Sequence, residues 1–187
     1  MNAFRDDLRD LVAKHIAAAP APRILSLVEQ LAGDSIRRAE VAPASRFVKL
    51  AADGTAWMDA QDGEHVATYD RETGLTHLAA PIDGGDRSWS DAIEAAKAVR
   101  VFGATDWRVP TVKELTSILD YDRYDPAVDP EYFRGPFGWT WTATKDASDS
   151  EYAWGVYLGG GYVSRNLQAA HGHVRAVRAG QPLVLGL

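Results

Sequence analysis

The chain has 187 residues, 20 Lys and Arg against 26 Asp and Glu, a formal net charge of −6, and no cysteine. The acidic balance argues against a nonspecific nucleic-acid binder, because a polyanion is held by a net basic face. Lack of cysteine excludes disulfides, thiolate metal sites and cysteine nucleophiles, and a chain of this length buries enough surface to fold without covalent staples.

Residues 1–43 read as a helical appendage. Phe4, Leu8, Leu11, Val12, His15 and Ile16 recur at helical spacing. Pro20 and Pro22 end that helix, and Ile24, Leu27, Val28 and Leu31 form the stripe of a second. Two helices this short need a partner surface. An intrachain hairpin docked on the rest of the chain is the favoured reading, and homo-oligomerisation through the apolar stripe is the other. The charged start, Met1 to Asp10, is unlike a signal peptide, and no run reaches 18 apolar residues. The expectation is a cytoplasmic chain, or one assembled into a particle from the cytoplasm, without membrane insertion.

Residues 44–80 change period. Phe47, Leu50, Trp57, Val66 and Tyr69 lie in short runs punctuated by Asp53-Gly54, Asp62-Gly63 and Thr73-Gly74, which predicts two or three antiparallel strands. Ser88 is placed to cap a helix through Val99, and Thr111 with Glu114 forms a capping box for another. The link Asp106 to Pro110 sends Trp107 to the core, and Asp106 is expected to pair with Arg108. A loop rich in Asp and Pro follows, from Asp120 to Pro136. Alternation then returns in Trp139 to Thr144 and in Tyr152 to Leu158, Gly159-Gly160-Gly161 turns the chain, and a last strand is expected from Val174 to Arg178. Strands, helices and strands again over 44–180 predict an α+β domain with an antiparallel sheet, and 181–187 form a tail.

Several of these segments, taken in order, resemble a known family. They are Asp70-Arg71-Glu72-Thr73-Gly74-Leu75, Trp89, Asp106-Trp107-Arg108-Val109-Pro110-Thr111 and Lys113-Glu114-Leu115. Tyr132-Phe133, Trp139-Thr140-Trp141-Thr142 and Val174-Arg175-Ala176-Val177-Arg178 complete the series. Over about residues 65–180 the chain resembles the Lcl C-terminal domain family, named for a collagen-like bacterial adhesin. The resemblance implies a C-type-lectin-like fold of the formylglycine-generating-enzyme subtype, a stable scaffold beneath a variable ligand surface. Its relatives include adhesin domains and receptor-binding proteins of phages. The oxidase chemistry of the formylglycine-generating enzymes uses cysteines, which are missing here. The Glu-Pro-Asn, Gln-Pro-Asp and Trp-Asn-Asp motifs of calcium-dependent lectins are missing too.

His171 and His173, at i and i+2, are the first candidates for chemistry, since such spacing on a strand puts two ligands on one face. No third ligand is near in sequence, and a metal-assisted enzyme built on them is an alternative reading. The aspartates from Asp120 to Asp129 could hold calcium through oxygen ligands, but without EF-hand spacing they read as a solvated acidic loop. No catalytic motif is present, so no enzyme activity and no cofactor is expected. The segment Lys145 to His173 mixes Tyr, Ser, Gly, Asn and Arg in the manner of recognition loops. From it Tyr157, Tyr162, Arg165, Asn166 and His171 are the expected contacts to a protein or glycan ligand, with Trp107, Trp139, Trp141 and Trp154 as scaffold. The plainer alternative makes Tyr157 and Tyr162 core-edge residues.

Overall fold

Turns marked by glycine organise the first sheet of the computed structural model, which describes residues 45–56, 64–83 and 85–180. Strands β1 (Phe47–Leu50), β2 (Ala67–Asp70) and β3 (Leu75–Leu78) form an antiparallel meander. Gly74 closes the β2–β3 turn at φ +70°, a conformation that glycine reaches without steric cost. Asp70 secures the same turn, accepting from Glu72 N at 3.0 Å and from Thr73 Oγ1 at 2.9 Å, and its carboxylate also pairs with Arg46 at 2.7 Å. The chain divides into two compact units, Met1–Ala44 and Ser45–Leu187, and the described residues belong to the second. The expected helical pair, the Asp62-Gly63 turn and the tail at 181–187 lie outside the described residues.

Strand β7 (Val177–Ala179) comes from the far end of the sequence to pair with β3, giving the order β1-β2-β3-β7. It starts three residues later than Val174. Before it, the segment stays tied to the end of β3 by single bonds, Leu78 N→Ala176 O at 2.9 Å and Ile82 N→Val174 O at 2.7 Å, while the Ala79 carbonyl accepts from Arg134 N at 2.6 Å and from Arg175 Nη1 at 2.7 Å.

Two helices lie between the sheets in sequence. Helix α1 (Trp89–Lys97) begins at Ser88, whose Oγ accepts from Asp91 N at 3.3 Å and donates to Asp91 Oδ2 at 2.8 Å. Helix α2 (Val112–Thr116) is short and has the full capping box. Glu114 N donates to Thr111 Oγ1 at 3.3 Å, and Thr111 N donates to Glu114 Oε2 at 2.7 Å. Arg108 donates to both Glu114 oxygens, at 2.8 and 2.6 Å, whereas Asp106 bonds Arg178 at 2.8 Å. The expected Asp106–Arg108 pair is therefore replaced by two longer-range pairs. The Arg108 guanidinium, with the Thr111 amide, holds the Glu114 carboxyl at about 2. A carboxyl depressed in the fold adds stability above its ordinary range, and that stability is lost as pH falls toward 2. Thr111→Val is expected to lower the unfolding free energy by about 1 kcal/mol, measured by urea denaturation. An unchanged midpoint would mean that α2 is held by packing alone.

The second sheet is β4 (Trp139–Lys145), β5 (Tyr152–Tyr157) and β6 (Tyr162–Leu167), antiparallel in that order. Its alternation feeds two cores. Trp141 and Ala153 point from one face into a cluster with Leu50, Ala67, Trp107 and the α1 alanines Ala92 and Ala96. Val156, on the other face, joins Leu158, Leu115, Ile118, Val128 and Phe133. Trp107 and Trp141 are fully buried, and their indole N–H groups bond Val101 O at 3.1 Å and Arg87 O at 2.9 Å. The architecture is α+β, two antiparallel sheets with few helical residues. Among the described residues no helix is long and apolar enough to cross a membrane.

Candidate recognition face

Among the described residues strand β6 has β5 on one side and no strand on the other, and all six of its residues are exposed. The register sets Tyr157 opposite Tyr162, Gly155 opposite Ser164 and Ala153 opposite Asn166. Directly paired residues share a face, so Tyr157, Tyr162, Ser164 and Asn166 project together. Trp139 joins them, because it is paired with Tyr157 on β4. The Tyr157 and Tyr162 rings stack at 5.1 Å between centroids, inclined by 29°.

The segment after β6 crosses this tyrosine face. Gln168 is fixed by Gln168 N→Glu151 O at 2.8 Å and Trp89 N→Gln168 O at 2.9 Å. Gly172 then exchanges two 3.0 Å hydrogen bonds with Arg87. A Cβ on Gly172 would lie 2.7 Å from Trp139 Cδ1 and 3.1 Å from Trp141 Nε1, so the backbone rests directly on these rings and no larger residue fits there. This strap covers Trp141, and His171 on it is exposed.

Arg165 is on the other face. Val163, Arg165 and Leu167 alternate away from the tyrosines, opposite Val156, Trp154 and Tyr152. The guanidinium is bonded to the Asp146 carboxylate and, at 3.2 Å, to Ser148 Oγ, and it sits 5.0 Å above the Tyr152 ring. Hydrogen bonding to Arg165, helped by Ser148, holds the Asp146 carboxyl at about 2. Of the five expected contacts, Tyr157, Tyr162 and Asn166 belong to the tyrosine face, His171 is exposed on the strap, and Arg165 braces the reverse of the sheet. Tyr157 is half-buried and Tyr162 exposed, an edge position for the first only.

The hairpin tip brings in two residues of the acidic loop, Tyr121 and Tyr124. Gly161 turns at φ +70°, and its N–H donates to Tyr157 O at 2.8 Å. The loop from Asp120 docks here through Asp125 N→Gly159 O at 2.9 Å and Ala127 N→Leu158 O at 2.8 Å. A Cβ on Gly161 would stand 3.6 Å from the Tyr121 ring, which places Tyr121 at the turn that leads into Tyr162. Tyr121, Tyr124 and Tyr162 are 75%, 84% and 54% exposed, which is unusual for large rings in a fold with two packed cores. Proximity across the tip is tertiary. The sequence signal that was available is the pair of tyrosines in an otherwise polar loop, where burial gives no reason for a ring.

The free edge of β6 is partly closed by its own side chains. Asn166 Oδ1 accepts from Leu167 N at 2.9 Å, and Ser164 Oγ bonds Arg165 O at 3.4 Å. Such self-capping blunts an edge that would otherwise pair with another chain.

Of the histidine pair, His171 is exposed and His173 is packed. His173 Nδ1 lies 2.6 Å from Asp86 Oδ1, and its Nε2 edge packs on Gly138, where a Cβ would come within 2.7 Å. Among the described residues no group of three or more His, Asp or Glu side chains is placed to hold a metal ion. In the acidic loop Arg123 bonds Asp120 at 2.9 Å and Asp129 at 3.5 Å, so two of the four carboxylates already share a guanidinium.

Comparison with curated proteins gives no match. A family model described as the Lcl C-terminal domain matches residues 53–178, which include both sheets from β2 onward, both helices and the tyrosine face. Since that match spans more than half of the sequence, the chain belongs to the Lcl C-terminal domain family.

Proposed function

We propose that this chain is a noncatalytic recognition module with a C-type-lectin-like fold, binding a protein or glycan ligand across the tyrosine face. One observation carries the reading. All six residues of strand β6 are exposed, Tyr162 among them, so it presents residues without contributing to either core. Exposed aromatic rings beside Ser and Asn combine apolar contact area with adaptable hydrogen bonding, the composition of recognition surfaces. The fixed strap and the stacked Tyr157 ring hold this surface in shape before a ligand arrives, which lowers the entropic cost of binding.

The test is retention of ligand from a cell lysate on the immobilised full-length chain, compared with Tyr162→Ala and Arg165→Ala variants. Tyr162→Ala is expected to reduce retention at least ten-fold at unchanged melting temperature, and Arg165→Ala to reduce it far less. Equal retention by the chain and its Tyr162→Ala variant would refute the face.

A further inference from the structure

Four tyrosines are carried by the hairpin tip and the loop docked on it. Tyr157 and Tyr162 stack on the sheet, Tyr121 borders Gly161, and Tyr124 directly precedes Asp125, whose N–H is bonded to Gly159. The charges around them are one-sided. Arg123 is committed to Asp120 and Asp129, and Glu131 is paired with Lys49 at 3.0 Å. The side-chain carboxylates of Asp122 and Asp125, both exposed, have no cation within ion-pair distance among the described residues. Arg165 is the one cation on β6, and it is turned to the reverse face and neutralised by Asp146.

Resting on the recognition reading, we infer that the partner is a protein segment bearing exposed Arg or Lys, which docks its cations between the tyrosine rings and the Asp122 and Asp125 carboxylates. Ring faces attract a guanidinium or ammonium group through their quadrupole, and nearby unpaired carboxylates reinforce that attraction. An arginine fits both demands at once, since its plane stacks on a ring while its edge donates to a carboxylate. Anionic polymers are repelled by the same two aspartates. A neutral oligosaccharide could stack on the rings but would leave both carboxylates without a counter-charge. Complementary charge thus selects a cationic polypeptide over other occupants of an aromatic platform.

Two probes test this on the immobilised full-length chain: a random twelve-residue peptide library displayed on phage, and an array of neutral oligosaccharides. The recovered peptides are expected to be enriched in Arg and Lys. Asp122→Asn with Asp125→Asn should lower their retention at least ten-fold, as should Tyr121→Ala with Tyr124→Ala. Asparagine suits position 125, where φ is +49°, because it tolerates that conformation. Raising the salt concentration should weaken retention of the peptides by the parent chain. Recovered peptides without a basic bias, or retained equally by the double-asparagine variant, would overturn the inference. Retention of neutral oligosaccharides alone, lost with Tyr162→Ala, would also overturn it while leaving the recognition reading in place. No retention of either probe would remove both.

Discussion

Arg175→Ala is expected to lower the unfolding free energy by about 4 kcal/mol, from lost hydrogen bonds and the cavity together. The side chain is fully buried and, among the described residues, has no carboxylate partner; its guanidinium instead bonds three carbonyls. Nη1 donates to Leu78 O at 3.0 Å and Ala79 O at 2.7 Å, and Nη2 donates to Arg134 O at 2.7 Å. It thereby ties the end of β3 to the loop before β4. Burial, reinforced by the charge of Arg134, pulls its proton affinity below the usual arginine value, so the charge is held at a cost. That cost bounds the effect of an isosteric change. Arg175→Met removes the buried charge along with its bonds, and should lose about 2 kcal/mol because the two effects partly offset. Urea denaturation at pH 7 measures both. A methionine variant as stable as the parent would mean that desolvation cancels the three hydrogen bonds.

Acid is expected to weaken the domain through His77. This side chain is fully buried in the middle of β3, meets the Phe133 ring edge-on at 6.1 Å, and has no hydrogen-bond partner at either ring nitrogen among the described residues. Burial, and then the Arg175 charge, push it from 6.5 down to about 4, against the opposing pull of Asp70 and Glu114. Since the folded value is the lower one, the neutral ring is retained on folding. The associated stability is complete above pH 6.5 and is lost as pH falls through that value to about 4. A shift of that size corresponds to about 3 kcal/mol. His77→Leu, or His77→Gln if the leucine variant does not fold, should remove this dependence. The difference in unfolding free energy between parent and variant should change by about 3 kcal/mol between pH 7 and pH 4. His65, whose value burial also lowers, is common to both proteins and cancels in the difference. Parallel curves would show that His77 stays neutral in the unfolded chain or finds a partner in the fold.

The features legible in the sequence are those decided within a few residues. Ser88 and Thr111 announce their helices because a cap satisfies amides only three positions away. Gly74 marks its turn because the backbone there needs positive φ. Trp139 and Trp141 share a face by strand periodicity alone. The same periodicity separates Arg165 from Tyr162, and grouping the two by composition ignored it. Other features depend on distance in sequence. The Asp106–Arg178 pair spans 72 positions, and no local pattern chooses it over Arg108. Tyr121 and Tyr124 join the candidate face only because the loop docks at Leu158 and Gly159.

The position of β6 has a consequence for how the protein can diversify. A strand held to its neighbour by backbone bonds, with no residue in either core, loosens the link between what the surface says and whether the domain folds. Exchanges at Val163, Ser164 or Leu167 fall in the class that usually changes stability by less than about 0.5 kcal/mol. Lineages can therefore rewrite these positions one at a time, acquiring and discarding specificities without first accumulating reserves of stability elsewhere.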